Sequence, residues 1–155
     1  MKNVQSQFHS KPSVGKLKVD ALKKQMQFLY GIKINTVGHK LVADNVDNLL
    51  GGSDLIIDCL DNGDARRLVQ GYVRNSTIPC LHGALAAGGA FGRVIWDEGF
   101  VIDDEDGDDV ATCEDGEFLP FIGITASYLA RSAQLFLSEN RKVGFSISPT
   151  GVISV

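Results

Sequence analysis

The sequence predicts an α/β domain, a mixed and mostly parallel sheet flanked by helices. Three observations carry this. The apolar run Leu55-Ile56-Ile57 ends in the carboxylate of Asp58, the pattern of a buried parallel strand with a polar end. Segments of helical period alternate with short apolar runs, which is how strand–helix–strand units read. The longest helical segment, about residues 121–138, places Ile122, Ala126, Leu129, Ala133 and Phe136 in one stripe.

The elements follow in order. Residues from about Gly15 to Tyr30 form a helix, with Val19, Leu22, Met26 and Leu29 or Tyr30 on one apolar face. Ile32 to Leu41 reads as a strand, on the imperfect alternation of Ile32, Ile34 and Val37. A short helix spans Val46 to Leu50, capped by Asn45 and ended by Gly51. A strand at 54–59 leads to a helix at about 64–75, because Asn62-Gly63-Asp64 offers side-chain acceptors to the free N–H groups of a helix start. A strand at 79–84 follows. After a glycine-rich bend, Gly92 to Trp96 and Gly99 to Ile102 suggest a hairpin. Beyond the helix at 121–138, Lys142 to Ile147 and Gly151 to Val155 form a terminal hairpin around Pro149-Thr150-Gly151.

Composition bounds the rest. The chain has 155 residues, 44% of them hydrophobic, enough to bury a core as one domain spanning residues 1–155. It contains no run of eighteen apolar residues and no apolar secretory core near its start, so the expectation is a cytoplasmic protein with no membrane partner. Cys59, Cys80 and Cys113 are odd in number and far apart, which argues against a disulfide framework. Residues 1–40 hold eight lysines against one acid, Asp20, while 41–155 hold seven basic and eighteen acidic residues. A basic first helix suits a phosphate ligand or a solvated face, and the net charge of −4 makes nucleic acid an unexpected partner. The acidic run Asp103-Asp104-Glu105-Asp106-Gly107-Asp108-Asp109 is not a calcium loop: setting Gly107 at the invariant glycine puts Ile102 and Cys113 at ligand positions.

Three motifs occur together. The strand at 54–59 continues into Asp58-x-x-Asp61-Asn62, followed by Arg66; carboxylates at the carboxyl end of a parallel strand stand where open α/β sheets bind ligands. Near the start stand Asn3-Val4-Gln5-Ser6-Gln7-Phe8 and Gly15-Lys16-Leu17-Lys18, and further on Pro79-Cys80-Leu81-His82-Gly83 and Gly89-Ala90-Phe91-Gly92-Arg93-Val94. Across roughly residues 3 to 137 this resembles the E1-like adenylating enzymes, which include the sulfur-carrier activators of thiamin and molybdopterin synthesis and the ubiquitin-activating enzymes.

The resemblance implies the C-terminal part of a Rossmann-like adenylating domain. The family's initial strand and Gly-x-Gly-x-x-Gly turn, which hold nucleotide phosphates, have no counterpart here: Gly51-Gly52 and Gly88-Gly89 read as turns, and the chain is expected to be truncated at its N-terminal side or to be a fragment of a longer product. It implies ATP and Mg²⁺ as cofactors and the C-terminal carboxylate of a ubiquitin-like or sulfur-carrier protein as substrate, in a homodimer; an unpaired sheet edge also argues for an oligomer. Asp61 takes the position of the essential aspartate and of a contact to Mg²⁺–ATP, with Asn62 beside it at the nucleotide. Lys18 takes the position of the lysine that neutralises the α-phosphate, with Lys16 the alternative in a shifted register. Gln7 matches a glutamine that hydrogen-bonds the nucleotide. Ser6 departs from the pattern, standing where the family carries an arginine for the phosphates. Asp58 reads as structural and Arg66 as a surface salt-bridge partner. Cys113 is a possible thioester nucleophile, although Glu114 and Asp115 disfavour its thiolate. Cys59 and Cys80 read as buried. No Cys-x-x-Cys pair occurs, so no zinc is expected. His82 could approach the site from the neighbouring strand end, a position the sequence leaves open. A rival reading, favoured by Ser6, is a non-catalytic homologue serving as scaffold or dimer partner.

Overall fold

The computed structural model of the chain describes residues 14–86, 91–102 and 119–155. Gln7, Ser6, the acidic run 103–109 and Cys113 therefore lie outside the described residues. The described residues fall into two compact units, one holding residues 14–40 and Leu119, the other 41–86, 91–102 and 120–155.

In the first unit, helix α1 runs Lys18–Tyr30 and stops at Gly31, whose φ of 68° lets its N–H reach Gln27 O while the N–H of Ile32 reaches Met26 O. This is the two-bond ending that a left-handed glycine permits. Of the expected apolar stripe, Val19 and Met26 are half-buried, whereas Leu22, Leu29 and Tyr30 are exposed and Ala21 is the buried residue. Residues 32–41 do not form a strand. The alternation there was imperfect, and a strand needs a ladder partner that no described residue supplies.

The second unit holds a five-stranded sheet in the order β1-β2-β3-β4-β5: β1 is Ile56–Asp58, β2 Cys80–Leu85, β3 Gly92–Trp96, β4 Phe145–Ser148 and β5 Gly151–Ser154. The α/β class and the mixed sheet are as expected, but only β1 with β2 is parallel, and the other three pairings are antiparallel. For β2 with β3 and β4 with β5 the reason is connection length. Helix α3, Gly63–Ser76, gives β1 and β2 the crossover that parallel strands need, whereas six residues join β2 to β3 and two join β4 to β5. The hairpin partner of β3 is thus β2, and residues 99–102 form no strand; Trp96 leads instead into a 3₁₀ turn at Asp97–Gly99.

Alternation on the strands sends side chains to two layers. Leu81, Val94, Trp96, Phe145 and Ile147 form one core with Phe121 and Ala133 of helix α4, Leu119–Glu139. Ile56 and Cys80 form the other with Val69 and Val73 of α3. The buried side of α4 runs through Phe121, Thr125, Ser132 and Leu135 as well as Ala133, with Ala126 exposed. The apolar stripe drawn from hydrophobicity alone is rotated, because two hydroxyls bury at little cost: Thr125 donates to Phe121 O and Ser132 to Val143 O. Helix α2, Val46–Leu50, has the expected bounds, but Asn45 makes no cap bond to it and instead accepts from Val42 N–H.

Candidate functional site

The strand-end motif folds into one small network. Asp58 closes β1 with its side chain buried, and its Oδ1 accepts the N–H of Leu60 at 2.8 Å, bending residues 59–62 into a tight loop. Asn62 caps α3, Oδ1 accepting from Ala65 N–H at 2.8 Å. One turn into α3, Arg66 reaches back over the same loop: Nε donates to Leu60 O at 2.8 Å and Nη2 to Gly83 O at 3.0 Å. Its Nη1 lies 3.5 Å from Asp58 Oδ2, near enough for charge attraction but unaligned for a hydrogen bond. Arg66 is therefore a mostly buried clamp between strand ends, correcting the expectation of a surface salt-bridge partner. The helix start at Asn62 places residue 66 over the carboxyl ends of β1 and β2, and the loop carbonyls there require a donor.

His82 completes the network from β2, where it pairs with Asp58 in register. It is fully buried; Nδ1 lies 2.8 Å from Asp58 Oδ2 and Nε2 lies 3.2 Å from Asp97 Oδ1. Phe100 stacks on its ring at 4.0 Å with an interplanar angle of 10°, and Arg66 sits 5.4 Å from the Phe100 centroid. Asp97 is held in turn by Gln70 Nε2 at 3.1 Å and Arg74 Nε at 3.0 Å. Burial alone would raise the pKa of both aspartates. For Asp58 the bonds from His82 and Leu60 N–H and the charge of Arg66 outweigh it, and for Asp97 the bonds from Arg74 and Gln70 do, so both lie below the usual aspartate value. Cys80 behaves oppositely: burial, then the charges of Asp58, Asp97 and Glu98, push its thiol up to about 12. Cys59 is an exposed residue rather than a buried one, yet burial of its thiol, and next Asp58, push its pKa up as well.

Gln70, Arg74, Asp97 and Phe100 did not stand out in the sequence. Part of the signal was present: Arg66, Gln70 and Arg74 recur every fourth residue beside the apolar stripe Ala65, Val69 and Val73. The shared target of Gln70 and Arg74, the turn at Asp97–Phe100, follows two strands later and is set only by the sheet.

Asp61 itself is exposed at the tip of the loop, and no described residue hydrogen-bonds or ion-pairs with it. It fits a hard cation better than Asp58 does, whose oxygens are already engaged. Asn62 is exposed, with its side-chain oxygen committed to the cap. Lys18 is the exposed first residue of α1 in the other unit. The site thus joins Asp58, Asp61, Asn62, Arg66 and His82 and leaves Gln7 and Cys113 outside the described residues. Surface depressions among the described residues include one of about 510 Å³ between α2 and α3, and one of about 960 Å³ in the first unit along Lys23, Lys24, Phe28 and Lys33.

Among known proteins, a sequence model described as the ThiF family matches residues 1–147. The adenylyltransferase and sulfurtransferase UBA4 of Meyerozyma guilliermondii is 29% identical over 133 residues, 81% of this chain and 31% of that protein. Among solved structures, Escherichia coli MccB with AMPCPP and MccA gives a TM-score of 0.74 at 12% identity, covering 99% of this chain and 52% of that one. PaaA gives 0.70 at 16% identity, covering 100% and 59%. MccB with ATP gives 0.69 at 11% identity, covering 94% and 49%. At these identities the structures show the shared fold. The chain spans about a third of the length of the curated relative and about half that of the structures it matches.

Proposed function

The chain belongs to the ThiF family, and from that premise we propose that it takes part in the ATP-dependent adenylation of the C-terminal carboxylate of a ubiquitin-like or sulfur-carrier protein, working in the cytoplasm as a dimer. One observation supports this above the others. Of the two motif carboxylates, Asp58 is consumed inside the fold, while Asp61 is presented to solvent at the carboxyl end of a parallel strand on a loop clamped by Arg66.

In the proposed reaction a carboxylate oxygen of the carrier attacks the α-phosphorus of ATP. A new acyl O–P bond forms, the bond from the α-phosphorus to its bridging oxygen breaks, and pyrophosphate leaves. Magnesium arriving with ATP would offset phosphate charge, and Asp61 is the residue to hold it, sharing its coordination with phosphate and water. Lys18 is assigned to the α-phosphate, and Gln7 and Asn62 to the nucleotide; for Asn62 this is compatible with its cap, because the amide nitrogen remains a donor. Catalysis of this kind rests on positioning and charge stabilisation. Cys113 is the candidate acceptor if a thioester follows. A second reading, a non-catalytic partner subunit, draws on Ser6, which cannot supply the positive charge of an arginine.

Calorimetric titration of the 155-residue chain with ATP and Mg²⁺, beside Asp61→Ala, tests the reading. The expected outcome is saturable binding, weakened at least tenfold in the variant. A folded, monodisperse chain that binds no nucleotide would exclude the activity for this chain and leave the partner-subunit reading. Where binding is seen, carrier-dependent exchange of pyrophosphate into ATP tests the chemical step.

A further inference from the structure

We propose that His82 is a positioning residue for the Asp61 loop, acting through Asp58 and itself held from the far side by Asp97 and Phe100. The loop at 59–62 is shaped by the bond from Leu60 N–H to Asp58 Oδ1 and by Arg66 on Leu60 O. The first of these depends on how the Asp58 carboxylate is turned, because a carboxylate rotates freely about its last torsion unless its second oxygen is fixed. That second oxygen, Oδ2, faces His82 Nδ1 at 2.8 Å, while the Arg66 Nη1 contact at 3.5 Å is misaligned. His82 thus supplies the aligned bond that sets the carboxylate, and Arg66 supplies charge.

The ring is fixed in its turn. It has no exposed surface, Phe100 lies flat against it, and its Nε2 meets Asp97 Oδ1 at 3.2 Å. Asp97 is anchored by Gln70 and Arg74, and both of these also donate to Phe100 O, at 3.1 and 3.4 Å. A continuous chain of contacts therefore runs from the turn after β3 to the loop that carries Asp61. A residue needed only to fill space at this position would be apolar; an imidazole between two carboxylates orients them.

The loop restraint stands on this geometry alone, and its consequence for nucleotide binding rests on the function proposed above. The test uses the ¹⁵N-labelled chain and three forms of it: wild type, His82→Phe, which keeps the stacked ring without its nitrogens, and His82→Asn, whose amide can occupy the place of Nδ1. Amide exchange is followed at Leu60 and, as a reference inside α3, at Val69. Expected is a loss of at least tenfold in Leu60 protection in His82→Phe, Val69 unchanged, and recovery in His82→Asn, with ATP–Mg²⁺ affinity falling and recovering in parallel. Leu60 protection that stays at the wild-type level in His82→Phe, or that falls only in step with Val69, overturns the proposal. If wild type binds no ATP, the functional reading fails while the exchange data still decide the loop restraint. Should His82→Phe not fold, the long-range ¹H–¹⁵N spectrum of the wild-type ring decides: a protonated Nδ1 supports the proposal, and an unprotonated Nδ1 overturns it.

Discussion

Cys80 shows how far one residue's chemistry is set by its surroundings. Its place on β2 buries the sulfur beside three carboxylates, Asp58, Asp97 and Glu98, so that a thiolate would be both desolvated and repelled. With its pKa pushed up to about 12, almost no thiolate exists at pH 8. We expect iodoacetamide to leave Cys80 unmodified in the folded chain and to label it promptly in urea, with Cys59 intermediate; peptide mapping by mass spectrometry checks this. Comparable labelling of Cys80 in both conditions would contradict its burial. The sequence indicated Cys80 as core, because it falls on the strand expected at 79–84. It did not reveal that Cys59 is an exposed residue, since that depends on how the loop turns after β1.

Helix α3 is the element on which the site depends, and both of its ends can be read physically. Its start is supported by the Asn62 cap, which is worth about 1 kcal/mol in such positions. Its end is less favourable: Thr77 takes the left-handed conformation, φ 60° and ψ 13°, so that its N–H reaches Val73 O at 3.0 Å. A β-branched residue there costs about 1 kcal/mol or more that glycine does not. Thr77→Gly is expected to raise stability by about 1 kcal/mol in urea unfolding, and Thr77→Ala, which keeps a Cβ, by clearly less. Equal stabilisation by both would show that the backbone strain is not the cause. The start of α3 was legible in Asn62-Gly63-Asp64. Its end lies close to the expected residue, but no glycine marks it.

For the whole molecule, the network of Asp58 and Asp97 links the fold to pH. Both carboxylates are depressed below 3.8 in the folded chain. The unfolded chain therefore takes up protons first as pH falls. The stability these groups contribute is fully present above the unfolded value of about 4 and is lost as pH falls through their lower folded values. Urea midpoints measured from pH 6 down to pH 2 should decline most below about pH 4, and Asp97→Asn should flatten that decline. An unchanged slope in the variant would show that Asp97 does not carry it. At this scale too, no helix among the described residues is long and apolar enough to cross a membrane.

By itself the sequence determined the family, the α/β class, the bounds of α2, the strand–loop–helix that carries Asp61, and the terminal hairpin. These rest on local signals: runs of apolar residues, caps and turn residues close together in the chain. Only the tertiary structure decided that three of the four strand pairings are antiparallel, that residues 32–41 find no ladder, and which side of α4 is buried. It also decided the roles within the site. Arg66 turned from a surface residue into a clamp and His82 into the bridge between Asp58 and Asp97, because Gly83, which Arg66 reaches on β2, and both partners of His82 stand 15 to 24 residues away and meet only once the strands align. Hydrogen-bond partners brought together by a sheet leave no periodic mark in the chain, and for that reason the motif was readable while its supports were not.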